Sequence, residues 1–153
     1  VQHMIYLYNW SDEPWQAQFW CREVMDKLYS AAPDGYCGDE DNGQTSAWYV
    51  FSAMGFYPVC PASDQYILGS PLFNKVTVHL PGGCRTEIVA EGNSPAARYV
   101  QSMTLNGKRY GRNYLTHGDL TRGAKVRFRM SAQPDKQRGT EASARPYSFS
   151  EGR

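Results

Sequence analysis

The hydrophobic period of this chain changes once, and that change limits what it can fold into. Through the first sixty or so residues, apolar side chains recur at the i, i+4 spacing of amphipathic helices. From Phe73 onward they alternate with polar ones, the spacing of half-buried strands. Helices followed by a run of strands read as an α+β fold, with the strands in an antiparallel meander.

The first helix is expected in SDEPWQAQFWCREVMDKLYSA. Ser11 or Asp12 is the capping candidate, and Pro14 stands where a first-turn proline is tolerated. Trp15 and Phe19 share one face, Trp20, Val24 and Leu28 another, while Arg22, Glu23, Asp26 and Lys27 are polar positions. The second helix is expected over Thr45–Met54, closed by Gly55 just past its end and by Pro58 beyond. Its SAWYVFSAM core is apolar almost all round, which predicts burial on most sides, as inside a helical barrel.

In FNKVTVHL, Val76, Val78 and Leu80 face one way and Lys75, Thr77 and His79 the other. Asn106-Gly107 is a two-residue hairpin signal. In AKVRFRM, Val126, Phe128 and Met130 are expected inside, with Lys125, Arg127 and Arg129 on a solvated face. The last stretch has no period. Three stretches result: 1–64 helical, 65–135 an antiparallel β module, and 136–153 an irregular tail.

Composition excludes several functions. The formal net charge is +1 with both signs interspersed, so no nucleic-acid footprint is present. No stretch is apolar for the length of a membrane span. Cys21, Cys37, Cys60 and Cys84 form no CxxC pair and have no His at zinc-ligand spacing, so they read as free, buried thiols. The opening VQHMIYLYNW begins in mid-pattern, which reads as a fragment.

One local feature resists a purely structural account. Asp39, Glu40 and Asp41 stand in a row directly ahead of the second helix. In an extended segment Asp39 and Asp41 would aim at one side, roughly 6–7 Å apart, with Glu40 turned away. The positive helix end behind them favours anions. Converging carboxylates can activate a water, hold a divalent cation, or both. The alternative is that Asp41 or Asn42 caps the helix and the other acids are merely solvated.

The stretch GDEDNGQTSAWYVFSAMGFYPVCPASDQYILGSPLFNKVTVHL closely resembles the C-terminal part of glycoside hydrolase family 92, the calcium-dependent exo-α-mannosidases. HMIYLYNWSDEPWQAQFW, SMTLNGKRY, THGDLTRGAKVRFRMS and RGTEASARPYSFS extend the likeness through essentially the whole chain. The family pattern G-[DN]-[DE]-D-x-G-Q-x-S-A-W fits at every position from Gly38 to Trp48.

The resemblance implies bacterial enzymes that are secreted, periplasmic or held at the cell surface, and that trim mannose from the non-reducing end of glycans. It implies that the helices are the end of an (α/α)-barrel-type catalytic domain. Chemistry would be inverting, with Asp41 as the general base and Asp39 orienting the water. Asp41 would also be a calcium ligand, the ion binding two hydroxyls of mannose. Glu40 and His3 would be substrate-binding, His3 at the end of an N-E-P-x-x-H type segment. The general acid and the other calcium ligands would belong to the remainder of the parent enzyme. The chain alone is therefore expected to be inactive and to self-associate.

Two rival readings remain. One is a non-catalytic carbohydrate-binding module with aromatic side chains on an exposed sheet face. The other is a structural module whose acids only cap a helix. Trp10, Trp15 and Trp48 read as sugar-stacking platforms or, at helical spacing, as core.

Overall fold

The computed structural model describes residues 2–40 and 42–150. A 3₁₀ helix, Met4–Trp10, leads into α1, Pro14–Leu28, with the proline at its first turn. Neither expected cap engages α1. The Ser11 hydroxyl donates to the Tyr8 carbonyl at 2.8 Å, and Asp12 pairs with Arg145 at 2.9 Å.

The inward face of α1 differs from the predicted ones. Ala17, Gln18, Cys21, Arg22 and Met25 are buried, whereas Trp20 and Leu28 are exposed. Polar residues turn inward because distant backbone meets them there. Gln18 Oε1 accepts the Val100 N–H at 2.8 Å, and Arg22 donates to the Pro71 carbonyl and Asn93 Oδ1, both at 2.9 Å. Hydrogen-bonded polar groups tolerate such burial.

Helix α2 spans Gln44–Met54 and ends as expected. Gly55 adopts φ 107°, and its N–H reaches the carbonyls of Phe51 and Ser52. Burial on most sides is not what the chain provides. Thr45, Trp48, Ser52 and Ala53 are buried, but Val50 is 56% exposed. An all-round apolar helix needs neighbours on every side, and here they stand only on one.

Among the described residues eight strands follow: β1 (Phe56–Tyr57), β2 (Gln65–Leu68), β3 (Lys75–His79), β4 (Arg85–Glu91), β5 (Tyr99–Leu105), β6 (Lys108–Arg109), β7 (Tyr114–Thr116) and β8 (Lys125–Ser131). Strands β1-β2-β7 form a small antiparallel sheet, and β3-β4-β8-β5-β6 a larger one. The fold is α+β. The larger sheet is mixed, however, because β4 and β8 run parallel, with Ile88 beside Val126. The chain leaves for the small sheet through β7. A short helix, α3 (His117–Thr121), then returns it, so β8 enters between β4 and β5 instead of continuing a meander. A reciprocal capping box between Thr116 and Asp119 starts α3.

Alternation in β8 holds. Val126, Phe128 and Met130 are buried, and Lys125, Arg127 and Arg129 are exposed. Strands β5 and β6 join through Asn106 (φ 52°) and Gly107 (φ 80°), two positive values in succession, as a type I′ turn requires.

Two apolar clusters result. The larger, with Ile88, Val100, Met103, Leu115, Val126 and Phe128, lies under the five-stranded sheet. The smaller joins Tyr6, Cys21, Met25, Trp48, Ala53 and Ile67 in the helical part. The aperiodic tail is tied down by side chains: Asn113 Nδ2 donates to the Gly139 carbonyl at 2.8 Å, and Trp10 Nε1 to that of Tyr147 at 3.1 Å. The cysteines are free, but only Cys21 is buried. Cys37 and Cys84 are exposed and Cys60 is half-buried. Among the described residues no helix is long and apolar enough to cross a membrane.

Candidate active site

The loop between α1 and α2 carries the acids to the start of α2. Asn42 at φ 58° and Gly43 at φ 91° fold the chain tightly there. That turn brings Glu40 back over the helix end. One carboxylate oxygen accepts the Ser46 N–H at 2.8 Å, and the other accepts the Gly43 N–H. The Glu40 carbonyl also accepts the Thr45 N–H at 3.2 Å. Hydrogen bonds from Ser46 and Gly43 hold the Glu40 carboxyl below its usual range. The Glu40 side chain therefore caps α2, a role the sequence had not offered to it but to Asp41 or Asn42.

Asp39 is placed differently. Its carbonyl accepts from the Thr45 hydroxyl at 3.1 Å, which pins the backbone to the helix. Its exposed carboxylate makes no hydrogen bond or ion pair to a described residue. It lines a cavity of about 420 Å³ together with Gln2, Tyr29, Cys37, Thr45 and Trp48. Glu40 is not among the described residues of that lining. Asp41, the expected base and metal ligand, lies outside the described residues.

Tyr29 and Trp48 form the aromatic wall of the cavity. Their rings stack at 5.5 Å and 13°, and the indole N–H donates to the Gln2 carbonyl at 2.9 Å. Burial, and then a hydrogen bond to Cys37, push the Tyr29 hydroxyl well above its ordinary pKa, so it stays protonated. Tyr29 was not singled out in the sequence, although an aromatic residue at a helix end beside an acidic loop was visible there. Trp48 is core, not a platform. Trp10 and Trp15 are half-buried, and Trp15 lies under the Lys136 ammonium.

His3 is exposed, and its carbonyl accepts from the Tyr6 N–H at 3.0 Å. Its neighbours Gln2 and Met4, not His3 itself, appear on the cavity wall. Among the described residues no three His, Cys, Asp or Glu side chains converge as a metal-holding cluster.

The outer face of the larger sheet bears on the rival module. Lys75, Thr77, His79, Arg85, Glu91, Lys125, Arg127 and Arg129 stand exposed there. Arg127 pairs with Glu91 at 3.1 Å. The exposed aromatics Trp20, Tyr36, Phe73, Tyr147 and Phe149 all lie outside its strands. That face is a solvated one, and among the described residues none of these exposed aromatics stands on it.

Known proteins resemble this chain over most of its length. The family model of the glycosyl hydrolase family 92 catalytic domain matches residues 1–132. Among solved structures, a family GH92 inverting mannosidase from Bacteroides thetaiotaomicron is 54% identical over 99% of this chain, with a TM-score of 0.93. A family GH92 α-mannosidase of the same organism is 42% identical over 97% of the chain, with a TM-score of 0.92. A curated protein of Arthroderma benhamiae, named an uncharacterized secreted glycosidase, is 25% identical over 96% of the chain. The chain spans 20% of each of the two mannosidase chains and 19% of the fungal protein. On the family match and these structural likenesses, the chain belongs to glycosyl hydrolase family 92.

Proposed function

We propose that this chain forms one wall of the active site of an inverting, calcium-dependent exo-α-mannosidase. The enzyme removes mannose from the non-reducing end of glycans and acts outside the cytoplasm as a longer polypeptide. The observation that carries the reading is the division of labour in the acidic run. Capping α2 needs one carboxylate, and Glu40 supplies it with both oxygens. The Asp39 carboxylate is left without a hydrogen bond or ion pair to a described residue, and Asp39 lines a cavity. Supporting it are the likeness to mannosidases and the name of the fungal relative.

In this reading Asp41 takes a proton from a water that Asp39 orients, and the water attacks the anomeric carbon from the face opposite the leaving oxygen. Inversion requires the acid and base to stand on opposite sides of the bond, roughly 6.5–9.5 Å apart. We assign the acid to the part of the longer enzyme that this chain does not span. The described residues do not compose a calcium shell by themselves. The ion is assigned to the complete enzyme, with Asp41 as this chain's ligand, and its chemistry would be to hold sugar hydroxyls.

The test is hydrolysis of a mannobiose followed by proton NMR, with the complete enzyme and with this chain alone. The complete enzyme should release β-mannose first and lose activity on chelation, regaining it with added calcium. Release of α-mannose first would refute inversion, and full activity after chelation would refute the calcium assignment. Calcium-dependent hydrolysis by this chain alone would show that it carries a complete site.

A further inference from the structure

A second hollow meets the Asp39 cavity at Tyr29, whose side chain lines both. It encloses about 380 Å³, a size common among small-molecule sites. Its walls are Tyr29, Tyr36 and Tyr49, and its rim is the turn from Ser30 to Gly35. The Tyr29 ring lies 5.0 Å from that of Tyr49 at 41°, and 6.2 Å from that of Tyr36 at 85°. Tyr36 is 47% exposed. Of the three hydroxyls only that of Tyr29 meets described partners, Cys37 and the Thr45 carbonyl. The rim is tied by its own backbone. The Ser30 N–H donates to the Gly35 carbonyl, and the Gly35 N–H to the Ala32 carbonyl, both at 3.0 Å. A Cβ at Gly35 would collide with the Ser30 carbonyl, so the turn closes this tightly only on glycine.

We propose that this hollow holds a neutral sugar ring of the glycan, on the leaving-group side of the mannose bound at the Asp39 cavity, with Tyr36 as its stacking platform. The proposal rests on the exo-mannosidase reading above. Chemistry of the lining selects the ligand class. Among the described residues no Asp, Glu, Lys or Arg lines the hollow, so it suits an uncharged ligand. Aromatic faces with polar tips match a ring that has apolar C–H faces and hydroxyl edges. Continuity with the Asp39 cavity selects the part of the glycan. An exo-acting enzyme holds only the terminal mannose at its acids, so every other ring of the substrate lies beyond the leaving oxygen. Tyr29 is the one side chain that lines both hollows, which places the second within reach of a chain leaving the first. A rim already hydrogen-bonded in place spares the ligand the entropy of ordering it.

Initial rates of the complete enzyme on a mannotriose and on α-mannosyl fluoride separate the two hollows, because fluoride leaves without a sugar ring. Tyr36→Ala should lower kcat/KM on the mannotriose about threefold to tenfold, the range of an aromatic contact. On the fluoride it should stay within about twofold of wild type. Tyr36→Phe keeps the ring and should restore the mannotriose value. An equal loss on both substrates would make Tyr36 a merely structural residue and overturn the proposal, as would no loss on either. Isothermal titration with the mannotriose covers a protein that hydrolyses no mannoside. Binding weakened by Tyr36→Ala in such a protein would support the hollow as a sugar site and remove the mannosidase reading. Binding that Tyr36→Ala leaves untouched would overturn the proposal, so the two fail separately.

Discussion

Replacing Trp48 by Ala tests whether the helical part holds its own core. The side chain is 1% exposed, stacked on Tyr29, and donates its N–H to the Gln2 carbonyl. A buried tryptophan covers about 150–250 Å², which at about 25 cal/mol per Å² is worth about 4–6 kcal/mol. Large-to-small substitutions of this kind are observed to cost about 3–5 kcal/mol, and the orphaned hydrogen bond adds about 1 kcal/mol. A loss of about 5 kcal/mol follows, a large share of the roughly 5–15 kcal/mol typical of a whole domain. At about 2–4 °C per kcal/mol for a chain of this size, the midpoint should fall by about 10–20 °C. Trp48→Phe keeps the stack but loses the N–H, and should cost only about 1–2 kcal/mol. Thermal unfolding followed by far-ultraviolet circular dichroism is the assay, since the substitution removes a fluorophore. A drop of less than about 3 °C for Trp48→Ala would refute the argument, because it would mean that this chain's own residues do not enclose the indole.

Three further outcomes are expected. Gly107→Ala meets no atom within 4 Å, so its cost is the strain of φ 80° alone, about 1–2 kcal/mol; an unchanged melting midpoint would contradict the type I′ turn. With a thiol reagent, Cys37 and Cys84 should react in the native chain while Cys21 reacts only on unfolding. Burial pushes the Cys21 thiol from 9.0 up to about 12. Its contribution to stability is therefore complete below pH 9 and lost as pH rises toward 12. Cys21→Ala should flatten that alkaline slope, and an unaltered slope would count against the burial. Glu40 has a lowered pKa, so its stabilisation is present above the ordinary carboxylate range and lost as pH falls through the folded value. Glu40→Gln should weaken the acid-side dependence of unfolding, and a variant with wild-type dependence would contradict the cap.

Much of the fold was legible where the determinant is local. Gly55 and the Asn106-Gly107 pair demand backbone conformations that few other residues adopt, and the Val126-Phe128-Met130 alternation needs only a sheet with one buried face. What escaped depends on distant partners. Arg22 read as a polar position because Asn93, which draws it inward, lies 71 residues away, and Gln18, which the sequence reading did not single out, is drawn in by Val100, 82 residues away. Strands β1 and β2, of two and four residues, are too short to show a period. The parallel β4–β8 pairing follows from β7 joining another sheet. At the site, the acidic run was visible as a conflict between charge repulsion and folding. The separate role of Glu40 was not, because it depends on the positive φ values of Asn42 and Gly43 that turn the chain back on the helix.

The central claim is that Asp39, whose carboxylate makes no hydrogen bond or ion pair to a described residue, and Asp41 beside it in the sequence do chemistry. In the complete enzyme, Asp39→Ala and Asp41→Ala should each lower kcat on a mannobiose by about a hundredfold to ten-thousandfold, the share that a positioned proton-transfer group contributes. The melting midpoint of Asp39→Ala should stay near the wild type, since its carboxylate has no partner among the described residues. A variant at either position that folds normally and keeps more than about a tenth of wild-type turnover would contradict the account.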